Sequence, residues 1–260
     1  MSLVYILAAS KMEGQPVLQI AGPGADKSPA RPPQPLRSGP NEYALILGGM
    51  GPKGTHAKAA EALGFTSPQS GSTAPSGRRP DAVLVIGLCG GLTESLTQNG
   101  IVAYTDCLST DSTQPPVQCS PAITNAIADL LLSRNINSEK LIGITSPRIA
   151  VTKDDRLDLA KAGANVVDME SYPILAVARQ EGIPAAVLRV IADTPDTKMP
   201  DFNRALNQEG ALDGRKALRI ALGSPIQTAR LLRGNKHAMA HLAKALEIIL
   251  PSDCFSASHT

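Results

Sequence analysis

Two apolar segments that each end on acids constrain the fold of this chain more than any other feature. The first reads Val166-Val167-Asp168-Met169-Glu170-Ser171, and the second reads Arg189-Val190-Ile191-Ala192-Asp193. An ionised carboxylate at the end of a buried strand is costly unless it is paired or has a function. Glu170 and Asp193 are 23 residues apart, with a helix-like stretch between them. This spacing predicts two neighbouring strands whose acids share one pocket at the carboxyl edge of an α/β sheet.

Further apolar segments extend this pattern along the chain. Strands are predicted at residues 3–8, 44–47, 83–86, 100–105, 141–145 and 185–191, and helices at 55–63, 120–132 and 172–180. The strands are continuously apolar rather than alternating, which is typical of a sheet covered by helices on both faces. We therefore expect one α/β domain over residues 1–260, with a mixed central sheet flanked by helices and a helical tail at 204–250.

The composition narrows the classes of protein to be considered. Hydrophobic residues make up 43% of the chain, but there are only four Tyr, three Phe and no Trp, so the core must be aliphatic. A net charge of +2 with mixed signs gives no reason to expect nucleic acid as a partner. The four cysteines form no C-x-x-C pair, so a metal site is not expected. No apolar run reaches the roughly 18 residues of a membrane span, which predicts a cytoplasmic protein without an integral membrane segment.

Three motifs carry a resemblance to a known family. They are Gly87-Leu88-Cys89-Gly90-Gly91-Leu92, the acidic segment Val167-Asp168-Met169-Glu170-Ser171, and Ile191-Ala192-Asp193. In this order they resemble the purine and uridine phosphorylase superfamily, which includes nucleosidases that hydrolyse methylthioadenosine and S-adenosylhomocysteine. The resemblance covers roughly residues 1–200 and implies the nucleoside phosphorylase type of fold, a homo-oligomer and a nucleoside substrate. The tail, with Met199-Pro200 and residues 210–233, is most similar to the branch called hopanoid-associated phosphorylase.

The resemblance implies a role for three acids. Glu170, preceded by Met169, would accept hydrogen bonds from the ribose hydroxyls and support positive charge on the sugar. Asp193 would donate a proton to N7 of a purine leaving group. Glu13, in the segment after the first strand, would activate the attacking water. Each acid also has a purely structural alternative: Glu170 could favour a helix dipole, Asp193 could cap a turn, and Glu13 could be an exposed loop residue.

The remaining substrate-binding candidates are glycines and mostly apolar residues, namely Cys89, Gly90, Gly49, Met50, Ile149 and Val151. The segment 87–92 resembles a loop whose backbone lines the base and sugar pocket, where small residues allow close approach. Gly49 and Met50 would lie beside the ribose or the nucleophile. The family usually stacks the base on an aromatic residue that residues 147–151 lack. The base would therefore rest on aliphatic contacts and backbone hydrogen bonds, or on Phe202.

The choice of nucleophile depends on missing residues. Val85 stands where bacterial purine phosphorylases have a phosphate-binding arginine, and Leu88 stands where they have a serine. Holding a phosphate dianion without cations is expensive, so these departures favour water. Arg148 or Lys53 could supply the charge from elsewhere, which leaves phosphorolysis to ribose 1-phosphate open, including that of an adenosylhopane-type substrate. A nucleoside-binding protein without catalysis is a third possibility. No metal or organic cofactor is implied, and inorganic phosphate would be a co-substrate only in a phosphorylase.

Overall fold

Nine strands and eight helical segments alternate along the part of the chain that the computed structural model describes, residues 2–20, 36–49, 51–64, 78–207 and 212–256. The strands are β1 (Leu3–Ala8), β2 (Leu36–Ser38), β3 (Asn41–Leu47), β4 (Ala82–Gly91), β5 (Ile101–Ser109), β6 (Val117–Gln118), β7 (Ser138–Thr145), β8 (Val166–Asp168) and β9 (Ala185–Asp193). The helices are α1 (Lys11–Ile20), α2 (Pro52–Leu63), α3 (Pro121–Ser133), α4 (Lys153–Ala160), α5 (Ser171–Gln180), a 3-10 helix (Phe202–Ala205), α6 (Gly214–Gly223) and α7 (Pro225–Ile249).

The sheet is mixed and partly closed on itself. Strand β1 lies parallel between β3 and β4, and β9 runs parallel to β4 on its other side. Strand β9 is antiparallel to β5, which is parallel to β7, and β7 is parallel to β8. Because β8 also pairs antiparallel with the end of β4, strands β4, β9, β5, β7 and β8 form a ring. The predicted mixed α/β sheet is confirmed.

Helices cover both faces of this sheet, which explains the continuously apolar strands. Along β1, Leu3, Tyr5 and Leu7 belong to one buried cluster, whereas the alternate residues of the strand belong to a second cluster. Helices α2 and α5 contribute to the first cluster, and α1, α3 and α7 to the second. Every residue of β1 is buried, because a strand between two helical layers has no solvent-facing side.

Several elements differ from the prediction for identifiable reasons. Residues 87–91 continue β4 rather than forming a loop, because β8 and β9 both pair with this end of the strand. Helix α1 contains Pro16, which weakens its helical pattern. Helix α4 buries only Arg156, so its sequence lacks an apolar stripe. The predicted helical tail contains two α-helices, because Pro225 starts a new helix directly after Ser224.

Among the helices that the structure describes, none combines the length and the apolar character needed to cross a bilayer.

Within the closed ring of strands, packing is tight at Gly143 of β7. A Cβ atom at this position would overlap the aromatic side chain of Tyr104. We expect Gly143→Ala to lower the free energy of unfolding by about 1–3 kcal/mol, because the core cannot absorb the extra methyl group without displacing that ring. Urea denaturation would measure the change. The matched control is Gly54→Ala in α2, which has open space at its Cβ position. There the better helix propensity of Ala should raise stability by up to about 1 kcal/mol, and equal behaviour of the two variants would contradict this account.

Candidate active site

A cavity of about 300 Å³ lies where the carboxyl ends of β1, β4, β8 and β9 meet. Seven of the residues predicted from the sequence lie on its wall: Glu13, Cys89, Gly90, Ile149, Met169, Glu170 and Asp193. Open α/β sheets place ligands at this edge because the strands end there and their side chains converge. The two acids of the opening motifs therefore share one pocket, as their spacing predicts.

Two other predicted residues, Gly49 and Val151, do not lie on this wall. Gly49 is not among the lining residues, and its carbonyl accepts a hydrogen bond from the Thr55 hydroxyl at 3.0 Å. The glycine-rich segment instead reaches the site through Gly51, whose N–H donates to Glu170 Oε1 at 3.4 Å. Val151 lines a neighbouring cavity. Met50 lies outside the described residues.

Glu13 is buried and fixed by three hydrogen bonds. It lies in the first turn of α1 with only 8% of its surface exposed, which contradicts the alternative of an exposed loop residue. Oε2 accepts from the N–H and the hydroxyl of Ser10 at 3.0 and 3.1 Å, and Oε1 accepts from the Leu88 N–H at 3.1 Å. The Glu13 N–H also contacts Ser10 Oγ at 3.3 Å, so the pair has the form of a capping box. The capping contact turns the carboxylate inward, towards the end of β4.

Glu170 stands at the start of α5, directly after β8. Its Oε2 lies 3.7 Å from Nη2 of Arg189, and its Oε1 accepts the hydrogen bond from Gly51. Burial raises the pKa of Glu170 to about 7, with Arg189 opposing the shift and the nearby acids Asp168 and Glu13 adding to it. Glu170 therefore changes its charge near neutral pH.

A buried guanidinium, that of Arg189, lies beneath the site. Nη2 donates to the Ser171 hydroxyl at 2.9 Å, Nη1 donates to the Leu88 carbonyl at 3.3 Å, and Nε lies 3.4 Å from Asp168 Oδ2. Sequence reasoning gave this residue no role, although it begins the second acidic motif. Its position in the middle of a β strand, where a charge needs partners, was the available signal.

Asp168 also lines the cavity, but its carboxylate oxygens are engaged by protein donors. It accepts hydrogen bonds from the hydroxyls of Tyr104 and Thr145 at 3.0 and 2.8 Å, and from the N–H groups of Glu170 and Ser171, both at 3.0 Å. Burial opposes its ionisation, but Arg189 and these hydrogen bonds outweigh burial and hold the pKa of Asp168 below its ordinary value. The ionised carboxylate thereby fixes the backbone that presents Glu170.

Asp193 is the last residue of β9 and forms an ion pair with Arg156. Burial raises the pKa of Asp193, although Arg156 opposes this shift. Arg156 is buried on α4 and also donates to the Gly91 carbonyl at 2.6 Å. The ion pair uses Oδ1, so Oδ2 can still meet a ligand in the cavity. The sequence did not reveal this arginine, since it is 37 positions from its partner.

Gly87 of β4 lies at a point where a side chain would collide with two charged groups. Its φ is +151°, and a Cβ atom would overlap both Nη1 of Arg189 and Oε1 of Glu13. The glycine therefore makes room for two charged groups that approach the strand from different elements.

The backbone of Ile149 is already hydrogen-bonded. Its N–H donates to Oδ1 of Asn203 at 2.8 Å, and its carbonyl accepts from Nδ2 of the same side chain at 2.8 Å. The prediction that these backbone groups bind a base did not anticipate this partner. Phe202, the neighbour of Asn203 in the 3-10 helix, lies on the cavity wall, so an aromatic ring is available to a ligand.

The cations near the site differ in their exposure and in the groups that they contact. Arg148 lines the cavity but is exposed, and Lys53 is exposed on α2 and is not among the lining residues. Arg156 is engaged by Asp193, and Arg189 by Asp168, Ser171 and Leu88. Within the described ranges, no three His, Cys, Asp or Glu side chains are grouped so that they could hold a metal ion.

Comparison with known structures shows the same fold in nucleosidases. The 5'-methylthioadenosine/S-adenosylhomocysteine nucleosidase of Helicobacter pylori is 16% identical, with a TM-score of 0.69 over 96% of this chain and 97% of that chain. The Campylobacter jejuni nucleosidase of the same name is 13% identical, with a TM-score of 0.67 over 95% and 99%. A mutant of the Helicobacter pylori futalosine hydrolase is 15% identical, with a TM-score of 0.63 over 91% and 99%.

Sequence comparison identifies the family. No curated protein sequence matches the chain. A family model described as the phosphorylase superfamily matches residues 39–220, which is more than half of the sequence. The match confirms the resemblance found in the three motifs and the enzyme class expected from it, an N-glycosidase or nucleoside phosphorylase. The chain belongs to the phosphorylase superfamily.

Proposed function

We propose that this protein cleaves the N-glycosidic bond of a purine nucleoside or a 5'-substituted adenosine, with water as the nucleophile. The observation that carries the proposal is the buried carboxylate of Glu13, which shares one cavity with Glu170 and Asp193. Oε2 already accepts two hydrogen bonds, but Oε1 accepts one and keeps acceptor capacity, so the carboxylate can hold and deprotonate a water molecule.

The other two acids act on opposite parts of the substrate. Glu170 accepts hydrogen bonds from the ribose hydroxyls, where a carboxylate stabilises the positive charge that develops on the sugar. Asp193 donates a proton to N7 of the departing purine, because a purine anion is a poor leaving group. Burial favours the protonated form of Asp193, which supports this role. Met169, Cys89, Gly90 and Ile149 would form the walls around sugar and base.

Electrostatics favour water over phosphate. A phosphate dianion beside Glu13 would face a carboxylate, and the nearest guanidinium, that of Arg189, is already engaged by protein groups. The cost of holding a dianion there without a free cation is high. Phosphorolysis is the second candidate because Arg148 lies on the cavity wall and is not buried. The similarity of the tail to hopanoid-associated phosphorylases would give that reaction a lipid-linked nucleoside as substrate.

The decisive experiment is base release from adenosine, inosine, methylthioadenosine and S-adenosylhomocysteine, with and without phosphate. We expect release that does not depend on phosphate and gives free sugar. Glu13→Gln should lower kcat about 10²–10⁴-fold, since it removes the base that activates water. Glu139→Gln, an exposed acid on β7, is the matched control and should have no effect. Release only with phosphate, giving a sugar 1-phosphate, would overturn the choice of nucleophile.

Asp193→Asn separates an enzyme from a nucleoside-binding protein that lacks catalysis. The amide keeps the shape of the side chain but has no acidic proton, so kcat should fall about 10²–10⁴-fold while ligand affinity changes little. Calorimetric titration with the best substrate of the panel would measure the affinity. Asp196→Asn changes an exposed acid of the same type and should leave turnover intact. A ligand that binds the unaltered protein without base release would support the binding-only alternative.

The raised pKa of Glu170 predicts a pH dependence. Below about pH 7 the carboxyl is protonated in the free protein and cannot act as a double acceptor for the sugar hydroxyls. We therefore expect kcat/KM, which reports groups of the free enzyme, to rise with pH and to level off above about 7. Glu170→Gln should lower kcat/KM and abolish this rise, whereas Glu139→Gln should keep it. An unchanged rise in Glu170→Gln would assign the titration to another group.

A further inference from the structure

Helix α6 has an exposed face on which apolar and cationic side chains alternate. None of its residues is buried, and Leu218 and Leu222 are 61% and 72% exposed. Arg215 and Arg219 fall on the same side as these leucines, because residues three and four positions apart share one face of a helix. Single exposed leucines are common, but several exposed apolar side chains together on one surface indicate an interaction site.

The beginning of α7 carries exposed side chains of the same two kinds. Ile226 and Leu232 are 69% and 63% exposed, and Arg230 and Arg233 follow Ile226 at intervals of four and three residues. Residues 214–246 contain seven Lys or Arg and no Asp or Glu. We call residues 214–233, with their exposed leucines and arginines, the basic face.

A second cavity, of about 450 Å³, lies at the edge of the basic face. Its wall includes the cations Lys198, Arg230 and Arg233 and the imidazole of His237. Asp196 is the single carboxylate among the lining residues, and Lys153 already contacts it at 2.7 Å. The cavity therefore has the charge and the size to accept a phosphate group, whereas the exposed leucines of the basic face favour an apolar neighbour.

Three kinds of occupant can be compared on these observations. A second copy related by a two-fold axis would place the acid-free basic faces against each other, which is repulsive. A nucleic acid would satisfy the cations but would leave the leucines against a polar phosphate backbone. An anionic bilayer satisfies both, because its phosphates attract the cations while its acyl region receives the apolar side chains.

We propose that the basic face docks the protein on membranes that contain anionic phospholipid. The leucines of α6 and the start of α7 enter the acyl boundary, and the cations of both helices meet the lipid phosphates. The docked surface borders the candidate active site, since Leu231 and Asn235 of the same α7 line the catalytic cavity. The proposal does not depend on the reaction catalysed, and its test does not require turnover.

Sedimentation with vesicles tests this docking. The probes are vesicles of phosphatidylcholine alone and vesicles with about one third phosphatidylglycerol. We expect the protein to sediment with the anionic vesicles and to be released by high salt. Leu218→Ser/Leu222→Ser and Arg215→Gln/Arg219→Gln should each weaken the partition about tenfold or more. Leu132→Ser/Leu157→Ser changes two exposed leucines on α3 and α4 and is the matched control.

Each other outcome overturns the proposal in a recognisable way. Absence of sedimentation, or equal sedimentation with both vesicles, would exclude an anionic membrane as partner. If the leucine substitutions do not weaken binding, the apolar side chains take no part in it. The surface would then be a cationic patch of the kind that also attracts nucleic acid. Light scattering after size-exclusion chromatography covers the remaining case: if Leu218→Ser/Leu222→Ser converts a dimer into monomers, the occupant is a second copy. Circular dichroism of both double variants verifies that they are folded.

Discussion

The guanidinium of Arg189 is the interaction on which the site depends. It lies in the middle of a buried strand and contacts Asp168 at the end of β8, Ser171 at the start of α5 and the Leu88 carbonyl of β4. A buried charge of this kind is tolerated only with compensating partners, and removing one of them leaves an uncompensated charge. Arg189 of β9 therefore ties the junction between β8 and α5 to β4, which is distant in the sequence, and it fixes the edge of the sheet where the cavity opens.

The same guanidinium acts on two neighbouring acids, Asp168 and Glu170, whose pKa values nevertheless shift in opposite directions. Asp168 accepts four hydrogen bonds and also lies beside Arg189, and together these contacts hold its carboxylate ionised. Glu170 has fewer hydrogen bonds and the same burial, so its pKa rises to about 7. Asp193 lies outside this cluster and depends on Arg156 instead, and burial raises its pKa. Pairs of carboxyl groups whose environments push their pKa values apart are typical of acid and base chemistry in one pocket.

The parts of the fold that the sequence reveals are those with a local pattern. The strands are continuous apolar runs and α3 has helical periodicity, and the two acidic motifs place Glu170 and Asp193 at one sheet edge because strand ends meet there. Helix α1 also has a local signal, the capping sequence Ser10-Lys11-Met12-Glu13, which Gly14 and Pro16 obscure.

The partners of the acids have no such local signal. Arg156 is 37 positions from Asp193, and Asn203 is 54 positions from Ile149, so their contacts arise only when the ring of strands closes. Gly49 and Val151 are a related case: neither lines the cavity, although each lies within two residues of a group that reaches the site, Gly51 and Ile149 respectively. Long-range packing of the chain thus determines which residue of a short motif lines the cavity.

The contact between Asn203 and Ile149 affects which ligands gain from binding. The carboxamide presents one acceptor and one donor side by side to the peptide groups of Ile149. The edge of adenine offers the same pair, an acceptor nitrogen next to the N6 amino group. A base that uses these groups must displace the asparagine, so it exchanges two hydrogen bonds for two others and gains little net energy. A base with a mismatched edge would lose both bonds, so the hydrogen bonds of Asn203 to Ile149 select against such a base.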